Sequence, residues 1–170
     1  MKLDFRGITL WRKGVDGVVL KYRGRTICID YSNTYECNYT LNTRYQYNHV
    51  FPEISDRLNL EGLVEVIVVK SSVESSGCSI GYLLFFNNGF RVYHTGYSSS
   101  IENVLSIEKP IHLLLIPISG DEASPEEACE VVKSLKPVLT IPIGFKDTRF
   151  FYKFRDICQP YTQIVLLTCS

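Results

Sequence analysis

The 170-residue chain lacks most of the signals that assign a sequence quickly. It has no excess of either charge, because 18 Lys and Arg residues balance 18 Asp and Glu residues. A nucleic-acid binder normally carries a basic stripe to meet phosphate, so this balance counts against RNA or DNA as a partner. Two small basic groupings exist, Lys21, Arg23 and Arg25, and Lys146, Arg149, Lys153 and Arg155. Each has acidic or aromatic neighbours and reads as a solvated face. Long apolar runs are also missing. The stretch "IHLLLIPI" is strand-length, far short of the roughly 20 residues that cross a bilayer as a helix. The opening "MKLDFRGITLW" has no apolar core of a secretory signal. These absences lead to the expectation of a soluble, cytoplasmic protein with no membrane role.

Motif absences narrow the chemistry. Six cysteines (Cys28, Cys37, Cys78, Cys129, Cys158 and Cys169) are scattered without a C-x-x-C pair, which argues against a zinc ribbon or a thioredoxin-type motif. In a reducing cytosol most are expected to be buried free thiols; a hyperthermophile's cytosol would allow disulfides. There is no G-x-G-x-x-G and no Walker A, so nothing points to a nucleotide cofactor. G-x-S-x-G is absent as well, and no histidine is placed by motif to activate a serine. No linker or low-complexity tract interrupts the chain, so residues 1–170 are expected to form one domain.

What is present is a well-patterned globule. Hydrophobic residues make up 45% of the chain against 21% charged, enough to build a sizeable core. Apolar alternation predicts strands over 3–11, 17–22 and 26–31, with a hairpin at "YRGR". Residues 32–52 are polar and tyrosine-rich and read as a long loop, and 52–58 as a helical turn or two. Strands follow over 63–70, 80–86 and 90–95, with "NNG" as a hairpin turn. The second half alternates: a helix over 98–108, a buried strand over 111–118, a helix over 124–136, a strand over 138–144, a helix over 148–158 and a strand over 162–167. Ser124, Pro125 and Glu127 give the 124–136 helix its cap, first-turn proline and capping box. Layered sheets with helices outside fit this order.

Three segments carry a resemblance. "VYHTGYSSS", "KPIHLLLIPISGDEASPEEACEVVKSLKP" and "VLTIPIGF" are similar to the second half of the metallo-β-lactamase superfamily, in the branch of the L-ascorbate-6-phosphate lactonases and small metal-dependent hydrolases. "ITLWRKGVDGVVLKYRGRTICIDY" resembles the opening meander of that branch, and "VIVVKSSVESSGCSIGYLL" resembles its His–Ser–Ser segment. The resemblance covers most of the chain in the family's order. It implies an α/β (α+β) fold, a four-layer αββα sandwich with the active site at one edge between the sheets.

The family binds one or two divalent metals through His–x–His–x–Asp–His, a later His, an Asp and a last His, because metals need lone pairs at fixed geometry. Set against that pattern, Arg44 and Gln46 stand for histidines in "TRYQYNHVF", Asn48 stands for the aspartate, and His49 is retained. Glu74 replaces the His of His–Ser–Ser, Tyr97 the bridging Asp, and Gly144 the last His. "RKGVDG" also stands where Gly–His–Ser/Ala is usual. Arg44 has no lone pair and would repel a dication, so it could replace the metal as the local positive charge. His94 and His112 read as structural histidines. Glu74 reads first as an ion-pair partner of Arg44.

Two expectations follow. The first is a pseudo-hydrolase with a degraded metal site, needing no cofactor and working by binding, scaffolding or regulation. Its partner would be another protein, an active paralogue or a second copy of the chain. The second is a metal-dependent hydrolase of phosphoesters or lactones with one weakly bound divalent cation, held by His49 and Glu74 if by anything.

Overall fold

Arg6 and Gly7 both take positive φ, 50° and 82°, and fold the chain back between β1 (Lys2–Phe5) and β2 (Ile8–Lys13). The expected single strand over 3–11 is therefore a hairpin. A two-residue turn of this hand matches the twist of antiparallel strands. The same device joins β3 (Gly17–Tyr22) to β4 (Arg25–Ile29) through Arg23–Gly24. It recurs at Glu61–Gly62, between β7 (Arg57–Leu60) and β8 (Val64–Glu74). Residues 57 and 58, expected at the end of a helical turn, are thus strand, because the hairpin pairs them with β8.

The computed structural model describes residues 1–45, 56–74, 77–97, 101–120 and 123–168, without the side chains of 45, 70–74, 77, 78, 102 and 103. The expected loop over 32–52 contains two short strands, β5 (Tyr39–Leu41), parallel to β4, and β6 (Arg44–Tyr45), on β9 (Gly77–Phe86). A five-stranded sheet runs β1-β2-β3-β4-β5. Completing the set are β10 (Arg91–His94), β11 (Leu113–Pro117), β12 (Leu139–Ile143) and β13 (Gln163–Ile164), so the second sheet runs β13-β12-β11-β10-β9-β8-β7. The last strand is shorter than the expected 162–167. Strands β10 to β13 are parallel, and β11 and β12 are buried throughout, as central strands between covered faces should be; the one hydroxyl of β12, Thr140 Oγ1, is satisfied by Thr162 Oγ1 at 3.0 Å.

Of the helices, α1 (Ile101–Val104) is much shorter than the expected 98–108, part of which lies outside the described residues. Helix α2 (Pro125–Leu135) has the expected capping box: Ser124 Oγ accepts from the Glu127 N–H at 3.2 Å, and Glu127 Oε2 accepts from the Ser124 N–H at 2.9 Å. It buries Ala128, Val131, Val132 and Leu135. Helix α3 (Thr148–Cys158) starts on Asp147, whose Oδ1 accepts from the Arg149 N–H at 2.8 Å.

Three apolar layers result. Ile8, Leu10, Val18, Leu20, Ile27 and Ile29 of the small sheet meet Val66, Tyr82, Leu84, Val92, Leu115 and Ile141 of the large one. The helices cover the large sheet's other face through Leu83, Tyr93, Leu114, Ile116, Val131 and Phe154. On the small sheet's outer face lie Trp11, Val19 and Cys28, shielded by Tyr31 and Cys37. Among the described residues that outer face carries a strapped loop where a family sandwich would carry helix. Cys28 is joined to Cys37, and Cys129 on α2 to Cys158 on α3, with Cα separations of 5.8 and 5.5 Å. Both spacings suit a disulfide, which corrects the expectation of free thiols for these four cysteines. Among the described residues no helix is long and apolar enough to cross a membrane.

Candidate functional site

A cavity of about 360 Å³ opens where β11 and β12 end, beside the β2–β3 turn. Ligands commonly bind at the carboxyl ends of parallel strands, where loops diverge. Val15 and Asp16 reach it from the β2–β3 turn, Ser119 from the loop after β11, and Gly144 to Asp147 from the loop after β12. The two sheets are stitched together here, because the Gly144 N–H donates to Val15 O at 3.2 Å. Arg12, 4% exposed, donates from Nη2 to the same carbonyl at 2.6 Å and lies 5.3 Å from the centroid of the Phe145 ring.

Arg44 and Tyr97 meet in this cavity because of β9. Strand β6 pairs with β9 at Arg44 and Ser79, just beyond the end of β10 on the same side. The chain leaving β10 turns at Gly96, and the Tyr97 N–H donates to Ser79 Oγ at 2.9 Å. One β9 residue therefore positions both. The Arg44 guanidinium carbon sits 3.3 Å from the centroid of the Tyr97 ring, a cation–π stack. Upstream, Asp30 takes a positive φ of 52° and accepts from the Thr43 N–H at 2.8 Å and from Thr43 Oγ1 at 2.5 Å, which fixes the entry to Arg44.

The electrostatics follow from burial. The Tyr97 hydroxyl is pushed up, first by burial and then by the charges of Asp30 and Asp16, with Arg44 opposing. Tyr97 is therefore a neutral donor at ordinary pH. Burial raises the Asp30 carboxyl above the usual carboxylate range, against the Thr43 hydrogen bonds and the Arg44 charge. His94 is held neutral, its imidazole pushed down to about 4 by burial, with Asp16 opposing. Its Nδ1 accepts from the Gly96 N–H at 3.1 Å, and Nε2 is buried without a partner among the described residues. His112 bridges β10 and β11, with Nδ1 accepting from the Arg91 N–H at 3.0 Å and its ring stacked on Phe90.

Of the candidate site positions, Arg44, Tyr97 and Gly144 are brought together in one cavity. Gln46, Asn48 and His49 lie outside the described residues. Glu74 ends β8, paired with Gly77, and its side chain is not described, so the Arg44–Glu74 pair is outside the description too. Asp16, Ser119 and Lys146 also line the cavity; none is a candidate site residue by sequence, where Lys146 reads as part of a solvated basic face. The departure of "RKGVDG" from the family pattern was the available signal for Asp16, whose Oδ1 would lie 3.4 Å from a Cβ on Gly144. The basic groupings otherwise behave as solvated faces: Arg25 pairs with Glu61, Lys153 with Glu126 and Arg155 with Asp156, all exposed.

The described residues do not fit a metal in the family's manner. Gly144 offers no ligand atom, the Tyr97 phenol is protonated, and a guanidinium carries no lone pair. No group of three or more His, Cys, Asp or Glu side chains among the described residues is placed to hold an ion.

Two facing sheets, helices against the large one and a cavity at the strand ends define the class: the chain has the fold of the metallo-β-lactamase superfamily, as the resemblance implies. Over 96% of its length it matches the whole of a proposed Zn-dependent hydrolase of that superfamily from Thermotoga maritima, at 17% identity with a TM-score of 0.73. It also matches 92% of the metallo-β-lactamase fold protein YhfI from Bacillus subtilis over 94% of its own length, at 9% identity with a TM-score of 0.74. No family model matches the chain. In sequence, 82 residues are 35% identical to a UPF0173 metal-dependent hydrolase from Cupriavidus taiwanensis. That segment is 45% of this chain and only 28% of the length of the relative.

Proposed function

We propose that this chain is a pseudo-hydrolase: a metallo-β-lactamase-fold protein whose metal position has been taken over by Arg44, Tyr97 and Asp16. It acts by binding, as a scaffold or regulator, and its partner is another protein, an active relative or a second copy of itself. One observation carries the reading. Arg44 lies stacked on Tyr97, in the same cavity as Gly144, so a fixed positive charge occupies the space where the family's ligands would converge. A dication brought there would be repelled rather than held. The test is a turnover screen over phosphomonoesters, phosphodiesters and lactones with added Zn²⁺, Mn²⁺ or Mg²⁺. Rates equal to those of heat-denatured protein are expected.

The curated relatives named as metal-dependent hydrolases favour a second reading, a hydrolase with an atypical, weak site. Turnover that depends on added metal and disappears with chelator would establish it, and His49 and Glu74 would be the first residues to mutate. Nucleic acid is not part of either reading, and salt-sensitive binding to RNA or DNA would contradict both. A cytoplasmic location belongs to the proposal, and the two cysteine pairs then call for a cytosol that tolerates disulfides, as in hyperthermophiles. Thiol alkylation in freshly lysed source cells decides this: protected Cys28 and Cys37 in a reducing cytosol would argue for another compartment.

A further inference from the structure

The cavity holds groups that a vanished metal site does not explain. Ser119 Oγ is buried and has no hydrogen-bond partner among the described residues. A buried hydroxyl is ordinarily satisfied, by protein, water or ligand. Lys146, exposed at the rim, makes no ion pair or hydrogen bond with the other described residues. The two carboxylates of the cavity, by contrast, are committed. Asp147 caps α3 and binds Arg149, accepting from its N–H at 2.8 Å and its Nε at 2.7 Å, and Asp16 shares the cavity wall with Arg44 and Tyr97. The first turn of α3 starts at the same rim and adds positive potential. The opposite character comes from Pro117, Phe145 and Phe150. Phe150 closes in so tightly that a Cβ on Gly120 would lie 2.7 Å from its ring. Apolar residues thus share one cavity of about 360 Å³ with an ammonium and a hydroxyl that have no partner among the described residues, a volume that suits a small organic ligand.

We propose that this cavity binds a small organic oxyanion, a carboxylate or phosphate on an apolar body, with Lys146 and Ser119 holding the oxyanion and Phe145 and Phe150 the body. The inference rests on the metal-free reading of the same site. An ammonium and a hydroxyl directed at one oxyanion make charge-assisted hydrogen bonds, stronger than neutral ones.

The test is calorimetric titration of the full chain with benzoate, phenyl phosphate and neutral benzyl alcohol, each with and without EDTA. At least one anion should bind about ten-fold or more tightly than the alcohol, and the favoured anion identifies the head group. Lys146→Gln and Ser119→Ala should each weaken that anion by roughly ten-fold while keeping the wild-type urea midpoint. Equal affinity for anions and alcohol, or affinity unchanged in both variants, overturns the proposal. Absence of binding with and without EDTA overturns it alone and leaves the metal-free reading standing. Binding abolished by EDTA overturns both.

Discussion

His94 ends β10 with 1% of its surface exposed, and burial pushes its imidazole from 6.5 down to about 4. Between those values the unfolded chain takes up the proton that the folded chain refuses. Its contribution to stability is thus complete above pH 6.5 and is lost as pH falls towards 4, about 3 kcal/mol in all. His94→Asn keeps an acceptor for the Gly96 N–H and removes the titration. The stability difference between pH 7 and pH 4.5, read from urea midpoints, should shrink by most of that amount in the variant; an unchanged difference would mean that His94 titrates normally. Gly144 sets a second constraint at this scale. Its φ is +73°, and a Cβ there would sit 3.2 Å from Pro117 Cβ. Gly144→His should therefore destabilise the protein by ~1–2 kcal/mol without raising zinc content. Restored stability and a tightly held zinc would show that the site is one substitution from function.

Elements whose ends are written in local chemistry were legible. Helix α2 lies inside the expected 124–136 because Ser124, Pro125 and Glu127 begin it and Pro137 follows Lys136, which caps it in the left-handed conformation. Strand β11 was legible as an uninterrupted apolar run, and β12 as a short β-branched stretch after Pro137. The Arg6–Gly7 turn was missed although Arg23–Gly24 was found, because apolar residues on both sides of "RG" mimic one long strand. Strands β5 and β6 had no periodic signal. Strand β6 is held by β9, distant in sequence, where Arg44 pairs with Ser79 and the Ile80 N–H donates to the neighbouring Thr43 O at 2.9 Å. The cysteine pairs were illegible for the same reason, since each depends on which surfaces the fold brings together. Closing the short loop between Cys28 and Cys37 should add about 2.5 kcal/mol through the unfolded state. Cys37→Ser should lower the unfolding free energy by about that much, and reductant should then have a smaller effect on the variant than on the parent. An equal response would show that this pair is not formed in solution.

For the whole molecule, the resemblance implied a four-layer αββα sandwich, and the sandwich of the metallo-β-lactamase type is there, with helices on the large sheet and, among the described residues, the Cys28–Cys37 loop on the small one. Of the positions the resemblance singled out, three are brought to one cavity. Tyr97 and Gly144 lie between well-matched flanks, and both line the cavity with Arg44. The roles of Asp16, Ser119 and Lys146 were not legible, because each lies on a loop after or between strands and only the fold shows that those loops meet at one cavity. The central claim is that the metal position is now held by protein groups. Metal content per chain tests it most directly, on protein prepared without chelator or affinity tag and then challenged with Zn²⁺, Mn²⁺ and Mg²⁺. The account predicts substoichiometric metal that dialyses away and no rise in melting temperature on challenge, since a ligand bound only by the folded state must raise it. Close to one tightly held metal per chain, with a raised melting temperature, would contradict it.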